Sequence, residues 1–553
     1  MALLWFLALP APGRITVTSH QQPPATRRTF LKTGIAGAAL FTPGPWAWVW
    51  AQTAQGPQLQ RLPKVALIIG NSKYKEAPLK NPANDAKAIG ESLTGLGFEV
   101  TLRLDTSKLA MDTAITAYVN TLATRKCVGL FYYAGHGIQL AWKNYLLPVD
   151  ANIDVIGDVA KQSFELNSLI AGLTKASNPM NVIMLDACRD NPFGEAKQPE
   201  QKGLSQMDAP HSTILAYATA PGNTASDGEG TNGLYTENLL REIKVKEAKV
   251  EDIFKRIRLN VRRTSKGAQI PWESTSLEDD FYFIPPGNLA PPKDEERAKA
   301  FAAELKLWES IEASNQIAPF EDYLKRHPSG LFSELAQLRF DILLKKQGEK
   351  TIQIASSKGN PFTRGTAMAD IAFKVGDVYS YRVVDLASGA EKGKQINTVT
   401  QITDREVIYN NGESATDLLG NTSKTADGRR PSGNQIQPTE YELGKRWVTR
   451  FLLSQADGRV FDNELSWHIV AKEPVTVPVG TFECYRVEGK GKARGPGTAP
   501  GVHVEVQLDF KYWMAPEVCR RQIKRESTRV AFVRGNRQVV ENERHELESF
   551  KQG

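Results

Sequence analysis

The chain has few of the residues that build the commonest kinds of site. Among 553 residues there are only four cysteines and seven histidines, and the cysteine spacing rules out a CxxC-type metal site. Lys and Arg exceed Asp and Glu by only 69 to 62, and the excess is spread along the chain, so a nucleic-acid partner is not expected. No tandem repeat indicates a solenoid. With 41% hydrophobic and 24% charged residues, the sequence instead predicts a soluble globular protein of several domains.

The N-terminal region resembles an export signal. An arginine pair, Arg27 and Arg28, precedes a weakly apolar Gly/Ala-rich run that ends at Ala51. This order resembles a bacterial twin-arginine signal, so residues 1–51 are predicted to be an N-terminal extension and signal. Cleavage after Ala51 is favoured over an uncleaved anchor, because prolines and glycines interrupt a run barely long enough to cross a bilayer. We therefore expect an exported protein, periplasmic or envelope-associated, in a bacterium.

Residues 62–285 alternate short apolar runs with helical patterns. The runs are β-branched or aromatic and mostly apolar on both faces, as in a buried parallel sheet. They predict one doubly wound α/β domain, with "DDFYFIP" (279–285) as a candidate edge strand. The predicted strands are 64–70, 97–104, 127–134, 181–187 and 212–219, and the predicted helices are 81–97, 108–125, 165–176, 233–243 and 249–264.

The rest of the chain divides into linkers, helices and strands. A proline-rich linker at 286–296 precedes helical periodicity at 297–347, which breaks at "HPSG" and predicts a short helical hairpin. Residues 348–370 form a second, polar linker. Alternating stretches separated by Gly, Asn and Pro turns over 371–550 predict a C-terminal antiparallel β-rich domain.

Two residues suited to nucleophilic chemistry follow predicted strands. His136 lies in "YYAGHG" and Cys188 in "LDACRDNPF". The carboxyl ends of parallel strands share one edge of a sheet, and neighbouring strands lie roughly 4.8 Å apart. If the two strands are neighbours, the imidazole and the thiol approach each other as a Cys–His dyad, in which the thiolate attacks a carbonyl and the imidazole carries the proton.

The other three cysteines have different expected roles. Cys127 begins the strand that precedes His136, so it is expected roughly 20 Å from that edge, as a small buried residue. A bridge between Cys127 and Cys188 is therefore disfavoured. Cys484 and Cys519 both lie in strand-like sequence and are candidates for a disulfide in an oxidising compartment, although four cysteines allow three full pairings.

Several motifs occur together in one order: "KVALIIGNSKY" with "NPANDA", then "YYAGHG", "LDACRDNPF" and "YATAPGNTASDGEGTNGLYTENLL". They resemble the bacterial caspase-like cysteine peptidases of the metacaspase and paracaspase branch, over about residues 62–285. The resemblance implies a caspase-like fold, Cys188 as nucleophile and His136 as general acid/base. It also implies an oxyanion hole formed by the amides of Gly137 and Cys188, and a glycine suits such a close approach.

The resemblance also implies a preference for basic residues. Animal caspases carry Gln two residues before the cysteine, whereas this chain has Asp186. In the metacaspase branch an acid there and another on the first helix select Arg or Lys, and Asp85 matches the second acid. A buried carboxylate pair repels itself unless a cation joins it. The alternative for Asp85 is an ordinary acid near a helix N-terminus.

These features predict a cysteine endopeptidase that cleaves after Arg or Lys in protein or peptide substrates, with the C-terminal domain as a candidate for envelope contact. The alternative is a non-catalytic caspase-fold interaction or scaffold protein of the cell envelope with a silent dyad. The complete set of dyad, glycines and pocket acid disfavours it. A third interpretation makes the C-terminal β domain the functional end of the molecule. The oligomeric state is not predicted.

No cofactor is required by this chemistry, and no metal site is predicted. Ca²⁺ remains open, because Asp190 and Asp227 are either loop acids or part of an ion site, although no EF-hand spacing supports the latter. The polar stretch after Cys188 is a region in which caspase relatives are often cut. With a basic preference, Lys197 or Lys202 is a candidate self-cleavage site.

Overall fold

The structure is a computed structural model, in which Cys188 and Val533 are described by their backbones alone. The predicted signal at 1–51 lies outside the described residues, and so do Lys197, Lys202, Asp190 and Asp227. Within the described part of the chain, no helix is long and apolar enough to cross a bilayer. The described residues are 59–188, 203–223, 225, 230–349, 352, 355–499, 501–533 and 536–553.

The first part of the chain folds around a mostly parallel sheet, as the sequence predicts. The strand order is β2–β1–β3–β6–β7–β8; the first five strands are parallel and β8 is antiparallel. A short antiparallel extension, β4 with β5, joins the far end of β3. The strands are β1 (Lys64–Gly70), β2 (Glu99–Leu104), β3 (Val128–Leu140), β4 (Lys143–Leu146), β5 (Phe164–Glu165), β6 (Met180–Cys188), β7 (Thr213–Tyr217) and β8 (Trp272–Thr275).

Helices cover both faces of this sheet. Successive residues of a strand point to opposite faces. Leu130 and Tyr132 of β3 therefore pack with α1, α5 and α6, whereas Phe131 and Tyr133 pack with α2 and α4. The helices cover the two faces of the sheet, and loops lie at its carboxyl edge. The helices are α1 (Pro82–Gly95), α2 (Lys108–Arg125), α3 (Val159–Gln162), α4 (Leu166–Ala176), α5 (Leu234–Glu242) and α6 (Val250–Thr264).

The sheet differs most from the prediction in the length of β3 and in the identity of its edge strand. β3 continues past residue 134 to Leu140, because β4 pairs with it from Gly137 onward, where β1 has already ended. The edge strand is β8, whereas "DDFYFIP" makes only an isolated bridge between Tyr282 and Lys249. Its aromatic residues, Phe281 and Phe283, are buried in the core instead of pairing along the sheet edge.

The helical segment that follows contains three helices where the sequence predicts a hairpin. They are α7 (Asp294–Ile311), α8 (Ile317–Arg326) and α9 (Ser333–Lys346). The break at "HPSG" separates α8 from α9, and a second break separates α7 from α8. The apolar faces of these helices pack against Tyr379 and Tyr381 of the following sheet. The helices therefore share one core with the C-terminal domain.

The C-terminal domain is antiparallel, as predicted. Its main sheet has eleven strands in the order β14–β13–β12–β11–β10–β21–β20–β19–β18–β17–β16, and β9 pairs separately with β15. The strands are β9 (Thr366–Met368), β10 (Val378–Asp385), β11 (Glu391–Ile402), β12 (Glu406–Tyr409), β13 (Ser414–Asp417), β14 (Thr422–Lys424), β15 (Glu440–Glu442), β16 (Arg446–Ser454), β17 (Val460–Val477), β18 (Gly480–Pro496), β19 (His503–Met514), β20 (Lys524–Val533) and β21 (Asn536–Lys551).

The disulfide considered for Cys484 and Cys519 is not formed. Both are free, buried thiols in the core that the three helices share with the sheet. Burial raises the pKa of Cys484 to about 12 and that of Cys519 to about 11, because the apolar surroundings disfavour a thiolate. These two residues act as small apolar core side chains.

Part of the second linker is docked on the parallel-sheet domain. We call residues 355–366 the docked segment. The N–H of Ala355 donates to the carbonyl of Pro221 at 3.0 Å. The carboxylate of Asp208 accepts from the N–H of Arg364 at 2.9 Å. Pro221 lies in the loop just after β7, so the docked segment begins at the carboxyl edge of the sheet.

Candidate active site

The sheet brings the two dyad positions together. β3 and β6 are parallel neighbours, and the last pair in their register is His136 opposite Cys188. Neighbouring strands lie roughly 4.8 Å apart, so the backbones of these residues lie side by side at the carboxyl edge. Cys127, which is buried and free, immediately precedes β3 at the opposite end of the strand. The sequence predicts both placements from strand position alone.

A hydrogen bond fixes the form of the imidazole. His136 is 2% exposed, and its Nε2 lies 2.8 Å from the carbonyl oxygen of Ala77. A carbonyl can only accept, so Nε2 carries the proton in this contact. In the neutral ring Nδ1 is then the nitrogen that can accept a proton. His136 is therefore held in the tautomer of a general base, with Nδ1 as the basic atom.

Two tyrosines hold the peptide groups of His136. The hydroxyl of Tyr74 accepts the His136 N–H at 2.9 Å, and the hydroxyl of Tyr133 donates to the His136 carbonyl at 2.7 Å. The hydroxyls lie 3.2 Å apart, and each is also within 3.1 Å of the Leu147 carbonyl. The ring of Tyr74 packs against the imidazole with centroids 4.5 Å apart. Sequence reasoning missed this pair, although "NSKY" and "YYAGHG" contain it.

The glycines around His136 have separate roles. Gly135 has φ +152°, and a Cβ there would lie 2.5 Å from the Tyr74 hydroxyl and 2.8 Å from that of Tyr133. Only glycine leaves room for both hydroxyls beside the strand. A Cβ on Gly137 would lie 3.0 Å from the Cβ of Ala187 and 3.1 Å from Leu204, so this glycine lets the chain pass close to β6.

Asp186 is buried beside the dyad. It lies in β6, two residues before Cys188, and is 8% exposed. Its Oδ2 accepts from the hydroxyl of Thr236 at 2.7 Å and from the hydroxyl of Tyr132 at 3.3 Å. Because neutral groups donate these bonds, the negative charge of the carboxylate is stabilised but not cancelled by them.

Asp85 is buried in the first turn of α1. It is 2% exposed, and its Oδ1 accepts from the side-chain amide of Asn232 at 2.8 Å and from the Gly233 N–H at 3.0 Å. Gly233 precedes α5, the helix that contains Thr236. The start of α5 therefore supplies donors to both acids. Sequence reasoning missed these donors, which lie in "TNGLYTEN".

The pKa of the Tyr132 phenol is affected by both acids. Burial raises its pKa well above the ordinary value, and the charges of Asp186 and Asp85 raise it further. Both carboxylates thus act on one phenol, since a nearby negative charge disfavours a second one. The structure places the two acids in one buried neighbourhood next to the carboxyl ends of β3 and β6.

The described residues offer no group for a metal ion. No cluster of three or more His, Cys, Asp or Glu with suitable placement occurs among them. Asp190 and Asp227, the candidate ligands for Ca²⁺, lie outside that part of the chain. Ca²⁺ binding therefore stays a prediction from the sequence.

The segment that forms the parallel sheet and carries the His136–Cys188 pair has known relatives. Residues 63–282 match the caspase domain family. A stretch of 180 residues is 28% identical to mucosa-associated lymphoid tissue lymphoma translocation protein 1 of Homo sapiens, and equally to its homologue in Mus musculus. Each match covers 32% of this chain and 21% of the relative, so the chain spans about a fifth of the length of these relatives. This part of the chain, called the caspase-like domain below, is therefore similar to caspase domains.

Proposed function

We propose that the caspase-like domain is a cysteine endopeptidase that uses His136 and Cys188 as a catalytic dyad and cleaves after Arg or Lys. The register pair of His136 and Cys188 carries the proposal, since an imidazole and a cysteine on adjacent strands, at the edge where α/β sites form, suit a base and a nucleophile. The buried acid pair, Asp85 and Asp186, supports the specificity.

In the proposed mechanism, Nδ1 of His136 takes the proton of the Cys188 thiol, and the thiolate attacks the scissile carbonyl carbon. The oxyanion that forms accepts hydrogen bonds from the amides of Gly137 and Cys188. The imidazolium then protonates the leaving amine as the carbon–nitrogen bond breaks. Water, deprotonated by His136, hydrolyses the remaining thioester. The Ala77 carbonyl stabilises the charged ring through Nε2 in both steps.

A basic substrate side chain would suit the acid pair. Asp186 and Asp85 are buried, and hydroxyl and amide groups donate to them. A guanidinium or ammonium brings the opposite charge and further donors, which lowers the cost of holding two carboxylates out of water. The substrates are then proteins or peptides with accessible Arg or Lys. Export to the bacterial envelope, with envelope contact through the C-terminal domain, is the part of the proposal that rests on sequence alone.

Fluorogenic peptides that end in Arg, Lys or Asp, incubated with the purified full chain, test the proposal. We expect turnover after Arg or Lys, and a loss of more than about a thousandfold in Cys188→Ala and His136→Ala. Cys127→Ala is the matched control, because that buried thiol lies at the opposite end of β3 and should leave turnover intact.

Three outcomes contradict parts of the proposal. Equal turnover in wild type and Cys188→Ala would remove the dyad. A preference for Asp over Arg and Lys would remove the acidic pocket. A folded wild-type protein without turnover on any peptide would favour the scaffold interpretation.

A further inference from the structure

The docked segment is fixed to the two stretches of chain that flank β7. Its first residue, Ala355, bonds to Pro221 in the loop after β7. Farther along, the buried side-chain amide of Asn360 donates to the carbonyl of Gln206, which precedes β7, at 2.7 Å. The Oδ1 atom of Asn360 accepts from the N–H of Phe362 at 2.9 Å, so the amide is held on both sides. Asn360 therefore fastens the docked segment to the chain before β7.

The chain at Gln206 also lies against β3 beside the dyad. Leu204, two residues earlier, is 1% exposed, and a Cβ on Gly137 would lie 3.1 Å from its side chain. The N–H of Ser205 donates to Asn144 Oδ1 at 2.7 Å, and the Asn144 amide donates back to the Ser205 carbonyl at 3.0 Å. Asn144 belongs to β4, the strand that pairs with the end of β3. A short series of contacts thus connects the docked segment to Gly137, whose amide belongs to the proposed oxyanion hole.

The docked segment packs on the opposite face of the sheet from the acid pair. Asp85 belongs to α1, and Asp186 accepts from Thr236 of α5, and both helices cover the same face. Phe362 packs instead against the core on the other face, which contains Tyr133, the residue whose hydroxyl holds the carbonyl next to the imidazole. The docked segment is therefore placed to support the catalytic groups, and it does not occupy the proposed specificity pocket.

We propose that the docked segment positions the oxyanion hole of the caspase-like domain. Asn360 holds the Gln206 carbonyl, and the chain at Gln206 in turn holds Leu204 against Gly137. Energetic coupling of this kind is carried by packed side chains and hydrogen bonds in direct contact. Asn360 is a positioning residue, and the C-terminal part of the chain contributes to turnover through it. The inference rests on the proposed peptidase function.

Asn360→Asp in the full chain tests the inference. The substitution keeps Oδ1 for the Phe362 N–H, but it replaces the donating N–H₂ group with an oxygen that repels the Gln206 carbonyl. We expect kcat on an Arg peptide to fall about tenfold and KM to change less than about twofold, because the oxyanion donor is misplaced while substrate binding is kept. The ratio of kcat/KM for an Arg peptide to that for a norleucine peptide should stay unchanged, since the acid pair lies on the other face.

Asn463→Asp is the matched control. Asn463 is also buried, and its amide also donates to a backbone carbonyl, that of Phe461 at 3.1 Å, but it lies in β17 of the C-terminal domain. Its kcat should equal that of wild type. Phe362→Ala is the second variant, because it removes the ring that packs against the core. Phe362→Leu keeps an apolar side chain there and should retain most of the turnover. Far-ultraviolet circular dichroism reports whether each variant is folded.

Amide hydrogen exchange gives a second readout that does not need turnover. In Asn360→Asp we expect faster exchange over residues 355–366 and also over 136–140, the end of β3 that contains Gly137, with wild-type rates in Asn463→Asp. Unchanged exchange over 136–140 in a variant with a loosened docked segment would overturn the inference. An unchanged kcat in both folded variants would overturn it too, and a raised kcat would make the docked segment an inhibitor instead. A wild-type protein without turnover on any peptide would contradict the proposed function, and the exchange over 136–140 would then decide the coupling by itself.

Discussion

His136 is held through its backbone as well as through its ring. The Ala77 carbonyl sets the tautomer, while the hydroxyls of Tyr74 and Tyr133 hold the peptide groups on either side of the imidazole. The position of His136 could be predicted, because a histidine after a buried strand must reach the carboxyl edge. The two tyrosines could not, because their hydroxyl contacts depend on the φ of Gly135 and on the return of the chain at Leu147.

Tyr74→Phe keeps the ring beside the imidazole and removes only the hydroxyl. The His136 N–H loses its acceptor, and the imidazole loses part of its alignment. We expect kcat to fall about tenfold to a hundredfold, because small displacements of a catalytic group cost that much, with KM nearly unchanged. Steady-state kinetics on an Arg peptide measure both parameters. A raised KM with normal kcat would assign Tyr74 to substrate binding instead.

Asp186→Asn removes the charge and keeps an oxygen that can still accept from Thr236. We expect kcat/KM for Arg peptides to fall about a hundredfold or more, because the substrate cation loses a buried counter-charge. Asp85→Asn should act in the same direction. The ratio of kcat/KM for an Arg peptide to that for a matched norleucine peptide isolates the charge effect. An unchanged ratio in both variants would show that the pair does not contact the substrate side chain.

Among the helices and strands, periodicity predicted the bounds of those whose ends are marked by the local sequence. The bounds of β1 and α2 agree with the predicted 64–70 and 108–125, because apolar runs and turn residues mark their ends. The length of β3 was underestimated, because its last residues pair with β4 and the sequence of β3 alone does not indicate that partner. The docked segment was expected to be a linker, because its polar sequence does not reveal contacts with residues some 130 to 160 positions earlier.

Asp208→Ala should loosen the docked segment. The carboxylate of Asp208 accepts from the Arg364 N–H and the Thr363 hydroxyl, and both bonds are lost without it. We expect faster amide hydrogen exchange over residues 360–366, since local opening requires fewer broken contacts. Exchange followed by mass spectrometry measures this. Asp154→Ala, a substitution in a separate loop, is the control, and equal exchange in both variants would contradict the expectation.

Half-buried acids help to join the two parts of the molecule. Glu442 and Glu440 of β15 face the caspase-like domain, where Arg258 pairs with Glu273 at 2.8 Å and lies 3.9 Å from Glu440. The pKa of Glu442 is raised by burial and by the charge of Glu440. Three carboxylates thus share one guanidinium at the joint between the two parts.

The raised pKa of Glu442 predicts a loss of stability at high pH. A raised folded-state pKa means that the contribution of Glu442 is complete below the ordinary glutamate pKa and is lost as pH rises through the folded-state value. We expect the Tm to fall from pH 6 to pH 9, and to fall less in Glu442→Gln. Differential scanning calorimetry measures both. Glu483→Gln, on an exposed residue, is the control, and parallel pH profiles in wild type and Glu442→Gln would contradict the assignment.

Because β6 and β7 are neighbouring strands, a cut in the connection between them would not separate the two fragments. The connection between them contains Lys197 and Lys202, and the two strands pair along Asn181–Leu185 and Thr213–Tyr217. A cut there would yield two polypeptides on a denaturing gel but a single particle by native mass spectrometry. The two fragments would also hold different residues of the site. The N-terminal fragment would carry His136 and Cys188, and the C-terminal fragment would carry Asn232, Gly233 and Thr236, which donate to the two acids, so the proposed peptidase site would be divided between them.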